Sequence, residues 1–72
     1  MTTRYPVCGV NLVRVDGQVF ERWYLGDGHG LLNLAGDWFT YVQTPLQIQP
    51  YTGTLDFDGP YVIVEASHYP IS

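Results

Sequence analysis

This chain of 72 residues has no lysine, only three arginines and a single cysteine, and each shortage closes off a class of function. Arg4, Arg14 and Arg22 are too few and too scattered to follow a phosphate backbone. They stand against 7 acidic residues in a net charge of -4, so direct nucleic-acid binding is disfavoured. Cys8, alone, cannot form an internal disulfide. The chain is therefore not stapled as small secreted scaffolds are, and a reducing, intracellular setting fits it. Cys8 itself is expected to be a small buried hydrophobe on the drier face of the first strand. MTTRYPV has neither the charged start nor the apolar run of a signal peptide, so the chain reads as mature protein. The longest uncharged stretch, residues 38–55, is interrupted by Thr, Gln, Pro and Gly, which excludes a spanning helix.

Apolar material is plentiful by contrast. Hydrophobic residues make up 46% of the chain and aromatic ones 15%, with 6 Tyr, 3 Phe and 2 Trp. One domain of this size, residues 1–72, buries only about 60% of the surface its unfolded chain exposes. Some rings must stay partly exposed, and clustered exposed rings on a soluble protein serve as contact surface.

The organising stretch is Val7 to Leu25, two strand-type runs joined by Asp16-Gly17, a pair suited to a type I′ turn. With Val15 opposite Gln18, one face carries Cys8, Val10, Leu12, Arg14, Val19, Glu21, Trp23 and Leu25. The other carries Gly9, Asn11, Val13, Val15, Gln18, Phe20, Arg22 and Tyr24. The first set is the drier and is expected to face the core. A glycine-rich loop, GDGHG, follows. Residues 31–42 read as two short strands around Ala35-Gly36-Asp37, with a helical turn possible near Leu31 to Ala35. The alternative is an α+β fold with one short helix there, since Leu31, Leu34, Ala35, Trp38 and Val42 also keep helical spacing. Gly36 would cost that helix about 1 kcal/mol, and the aromatic and β-branched residues after it prefer strands.

LQIQ, bracketed by Pro45 and Pro50, has the features of a protected sheet edge. A second hairpin runs TLDF-DG-PYVIVEA. Because Pro60 lacks an N–H, a two-residue loop at Asp58-Gly59 could not close, which predicts a longer loop or a bulge at Gly59. Leu55, Phe57, Val62, Val64 and Ala66 share one face, and Thr54, Asp56, Tyr61, Ile63 and Glu65 the other. SHYPIS has no periodicity and is expected to lie on the surface or fray. The expected fold is mainly β: a small antiparallel sheet or barrel of two hairpins and a middle segment. Its core is Val10, Leu12, Val19, Trp23, Leu25, Phe57, Val62 and Val64.

Chemistry-bearing patterns are sparse. Asp27, His29 and His68 could make a three-ligand site only if the fold joined them, and their spacing matches no regular metal motif. GDGHG lacks the lysine and the strand-to-helix setting of a phosphate loop. Ser67 and His68 are sequence neighbours that point to opposite faces in an extended chain. Asp56 and Asp58 are paired carboxylates beside a turn, with no pocket to raise a pKa. No cofactor, metal or catalytic residue is expected. What remains is surface: Asp56, Asp58, Tyr61 and Glu65 on the outer face of the second hairpin, with the loop carboxylates Asp27 and Asp37, form an acidic patch suited to a basic protein partner. Arg22 and Tyr24 add a second contact candidate beside Phe20, since Tyr and Arg are enriched at interface hot spots.

In length, acidity, single cysteine, β-rich reading and want of a catalytic motif, the whole chain resembles the small phage-encoded anti-CRISPR inhibitors. The resemblance implies a non-enzymatic protein in the bacterial host cytoplasm that binds a CRISPR effector, such as a Cascade-type complex, and blocks target DNA. The alternative class is a phage assembly protein that oligomerises through exposed aromatics, with a monomer or small homo-oligomer both open at this point.

Overall fold

The Asp16-Gly17 hairpin forms in the expected register, Val15 opposite Gln18, with left-handed φ of 50° and 79° at its two turn residues. This computed structural model describes residues 1–69. They form eight strands: β1 (Thr2–Pro6), β2 (Gly9–Val15), β3 (Gln18–Tyr24), β4 (His29–Leu34), β5 (Asp37–Gln43), β6 (Leu46–Pro50), β7 (Leu55–Asp58) and β8 (Tyr61–Glu65). A 3-10 turn at Ala66–His68 follows. β2 to β6 are a five-stranded antiparallel meander, while β1, β8 and β7 form a three-stranded sheet with β8 in the centre. The sheets do not close into a barrel.

Residues 31–42 are strands. β4 and β5 pair across a two-residue turn whose residues, Ala35 and Gly36, both have positive φ, so neither a helix nor a helical turn forms there. β6 is the proline-bracketed edge. The second hairpin differs from expectation. Its turn is Gly59-Pro60, flanked by the pair Asp58 and Tyr61, and is neither longer nor bulged. Glycine takes the positive-φ first position and proline the second, so no closing N–H is asked of Pro60.

The core lies between the sheets. Leu25, Leu31, Tyr51, Val62, Val64 and Tyr69 are buried there, with Tyr5, Val7, Trp23, Trp38 and Leu55 packed around them. Leu31, fully buried, contributes about 1.5 to 3 kcal/mol through burial. Tyr51 ties the layers together: its hydroxyl donates to the Thr54 carbonyl and accepts the Glu65 N–H at 2.7 Å. Gly53 permits this closeness, because a Cβ there would fall 2.7 Å from Glu65 Cβ and 2.9 Å from the Tyr51 hydroxyl.

Several expected core residues lie outside it. Val10, Leu12 and Val19 are 48%, 71% and 45% exposed, and Phe57 is 48% exposed although its ring meets Trp23 and Trp38. The hairpin faces are as expected; their covering is not. Strands of four and five residues in the small sheet reach only the base of the seven-residue strands β2 and β3, so Trp23 and Leu25 are covered and the hairpin tip is left bare. Cys8 is likewise exposed rather than buried. Tyr69, in the tail expected to fray, is buried in the core, and residues 70–72 of that tail lie outside the described residues.

Candidate binding surface

The five-stranded sheet carries apolar residues on both faces. Strand alternation sends Val13, Val15, Phe20, Leu32, Leu34, Phe39, Tyr41 and Ile48 to the face turned away from the small sheet. There Phe20, Leu32 and Tyr41 form a second buried cluster, edged by the half-buried Val13, Val15, Tyr24, Leu34, Phe39 and Ile48. The burial of Phe20, Leu32 and Tyr41 comes from the five-stranded sheet's own side chains, a cluster separate from the core between the sheets.

A cleft of about 260 Å³ crosses this open face, lined by Val13, Val15, Arg22, Leu32, Tyr41, Gln43, Leu46 and Ile48. Contributions from both edge strands, β2 and β6, show that the sheet curls around it. Tyr41 sits directly opposite Gly30, and a Cβ on Gly30 would come within 2.9 Å of the Tyr41 ring, so the glycine makes room for the ring. The Tyr41 hydroxyl is buried without a hydrogen-bond partner among the described residues. Burial raises its pKa above the ordinary tyrosine value, the Arg22 charge works against that rise, and Tyr24 adds to it. Arg22 is half-buried, its Nε donating to Asn11 Oδ1 at 3.0 Å and its guanidinium 5.8 Å from the Tyr24 ring centre.

The acidic patch on the small sheet is largely engaged within the chain. Asp58 pairs with Arg4 at 3.5 Å, the same Arg4 stacks over Tyr61 at 4.4 Å, and Glu65 meets the amino terminus at 3.4 Å and Thr54 at 3.2 Å. Asp56 alone of that group has no cationic partner among the described residues. Asp37 begins β5 on the same parity as Phe39 and Tyr41, so it stands at one end of the open face. Asp27 lies in the β3–β4 loop at the opposite end. The structure thus places Arg22 and Tyr24 together beside the cleft and Asp56, Asp58, Tyr61 and Glu65 on a different surface. Sequence reasoning missed Val13, Leu32, Tyr41 and Ile48 as one constellation, although their alternation within single strands was the available signal.

The histidines are separated by role. His29 is buried, its Nδ1 2.8 Å from the Tyr69 hydroxyl and its ring edge-on to Tyr5, whereas exposed His68 meets Thr52. Burial lowers the His29 pKa, and the Asp27 charge partly offsets this. Asp27 and His29 line a depression of about 280 Å³ with residues in and beside the β5–β6 turn. No group of three His, Cys, Asp or Glu able to hold a metal occurs among the described residues. No helix of the described residues is long and apolar enough to cross a membrane. No family model, curated protein or solved structure matches this chain.

Proposed function

We propose that this chain is a non-enzymatic inhibitor that occupies a basic surface on a larger protein complex, using the open face of the five-stranded sheet as its contact area. The observation that supports this most is the cleft over the buried Phe20, Leu32 and Tyr41 cluster, edged by the half-buried Val13, Val15 and Ile48 and the exposed Leu46. A small domain has little burial to spare, and a half-buried apolar rim around a cleft is a surface on which a partner can complete the burial. Asp27 and Asp37 at the two ends of that face, and Asp56 beyond it, act on encounter and orientation with a basic partner, while the apolar face supplies contact area.

The resemblance to anti-CRISPR inhibitors makes a Cascade-type CRISPR effector the partner to test, in the cytoplasm of a bacterial host, with target DNA displaced by steric block. The test is a binding titration with purified effector, followed by competition with its target DNA. Salt-sensitive binding that excludes DNA supports the proposal. Binding that leaves DNA access intact, or no binding, refutes this choice of partner.

A second reading rests on the hairpin tip. β2 is a sheet edge without lysine or proline, and Val10, Leu12 and Val19 are exposed beside it, which favours self-association in an assembly role. Light scattering separates the two, because this reading requires a stable oligomer of the isolated chain.

A further inference from the structure

The cleft on the open face combines an aliphatic lining with a buried hydroxyl and a cation that has no carboxylate partner among the described residues. At about 260 Å³ it falls just under the roughly 300 to 1,000 Å³ of pockets for small molecules and cofactors, so it suits a single anchoring residue. The Tyr41 hydroxyl is buried and has no partner among the described residues. Arg22, half-buried at the same cleft, is oriented by Asn11 but pairs with no carboxylate among the described residues. Arg14 also has no such pair, yet it is exposed and water serves it. A partly buried guanidinium forms its strongest hydrogen bonds with a carboxylate, and an acceptor drawn to Arg22 arrives beside Tyr41.

We propose that the cleft receives the C-terminal aliphatic residue of a partner polypeptide, its side chain among Val13, Leu32 and Ile48 and its terminal carboxylate on Arg22. In a polypeptide only the chain terminus places an aliphatic side chain and a main-chain carboxylate on one residue. The inference rests on the open face being the contact surface, and it names what that surface recognises.

The test uses the full chain and fluorescein-labelled peptides with a Ser-Gly spacer ending in Leu, Ile or Val, each made as the free acid and as the amide, read by fluorescence polarisation. The free acids should bind about tenfold or more tighter than the amides. Arg22→Gln should bring the acids down to the amide level while leaving the melting temperature nearly unchanged. Equal binding of acid and amide, or no saturable binding, overturns the inference. Displacement of the peptide by octanoate at comparable affinity also overturns it, in favour of a free fatty carboxylate. Should Arg22→Gln fail to fold, the acid-to-amide ratio on the unaltered chain still decides. The underlying reading is tested separately: if Ile48→Lys loses effector binding while no peptide binds, only the C-terminal anchor is wrong. If Ile48→Lys keeps effector binding, the contact surface itself is wrong.

Discussion

Two tyrosines with the same chemistry and similar burial should respond oppositely to loss of a hydroxyl. Tyr51 is 7% exposed and Tyr41 4% exposed. The Tyr51 hydroxyl is doubly used, donating to the Thr54 carbonyl and accepting the Glu65 N–H, so Tyr51→Phe strands two backbone groups near the junction of the layers. The expected loss is about 1 to 3 kcal/mol, the desolvation penalty of groups left unpaired. For a domain of this size each kcal/mol moves the melting temperature by roughly 4 to 8 °C. Tyr41→Phe instead removes a buried hydroxyl that has no partner among the described residues, and the same penalty is relieved. It should stabilise the isolated chain by about 1 kcal/mol or more. Urea unfolding with an unchanged slope, checked by thermal melting, measures both. If Tyr41→Phe destabilises the chain as Tyr51→Phe does, its hydroxyl has a partner and the cleft is ordinary core.

Leu31→Ala should cost about 2 to 5 kcal/mol and Leu12→Ala less than about 0.5 kcal/mol in the same unfolding assay, because one side chain is fully buried and the other 71% exposed. Ala35 holds a left-handed φ of 53° ahead of Gly36, so Ala35→Asn, which gives the preferred Asn-Gly turn, should raise stability by about 1 kcal/mol. His29 has a folded pKa below its unfolded value, so the unfolded chain takes up the proton first as pH falls. Stability from this site is complete above about pH 6.5 and is lost progressively below it. A pH series of melts should show that slope reduced in His29→Gln.

The strand content, the first hairpin's register and the face membership of both hairpins were legible because alternation and turn chemistry are local. How much of the drier face would be covered was not, because that depends on the length of a distant sheet. Val10, Leu12 and Val19 look like core in a run of sequence, but Leu12 and Val19 lie toward the tip that the short β7 and β8 do not reach, and Val10, opposite Trp23, lies on the edge strand β2. β1 went unrecognised for a related reason: TTRYP is a weak strand by itself, and it forms by pairing with β8 at the far end of the chain. Tyr69 follows a run without periodicity, and its burial comes from a pocket that Tyr5, His29 and Tyr51 assemble in three dimensions. At the candidate surface, Arg22 and Tyr24 were readable as contact residues on one hairpin. The cleft beside them was not, since it needs β2 and β6, the two edges of the meander, to curl toward each other.

One matched pair of substitutions decides which surface makes contact: Ile48→Lys on the open face and Ile63→Lys on the outer face of the small sheet, between Arg4 and Asp56. Both place the same charge at a half-buried strand position, and the readout is affinity for a purified Cascade-type effector. Ile48→Lys should weaken binding about a hundredfold or more, as loss of a hot-spot residue does. Ile63→Lys should stay within about threefold of the parent, as for a residue away from the contact. Loss of binding with Ile63→Lys and retention with Ile48→Lys would contradict the account and return the contact to Asp56, Asp58, Tyr61 and Glu65.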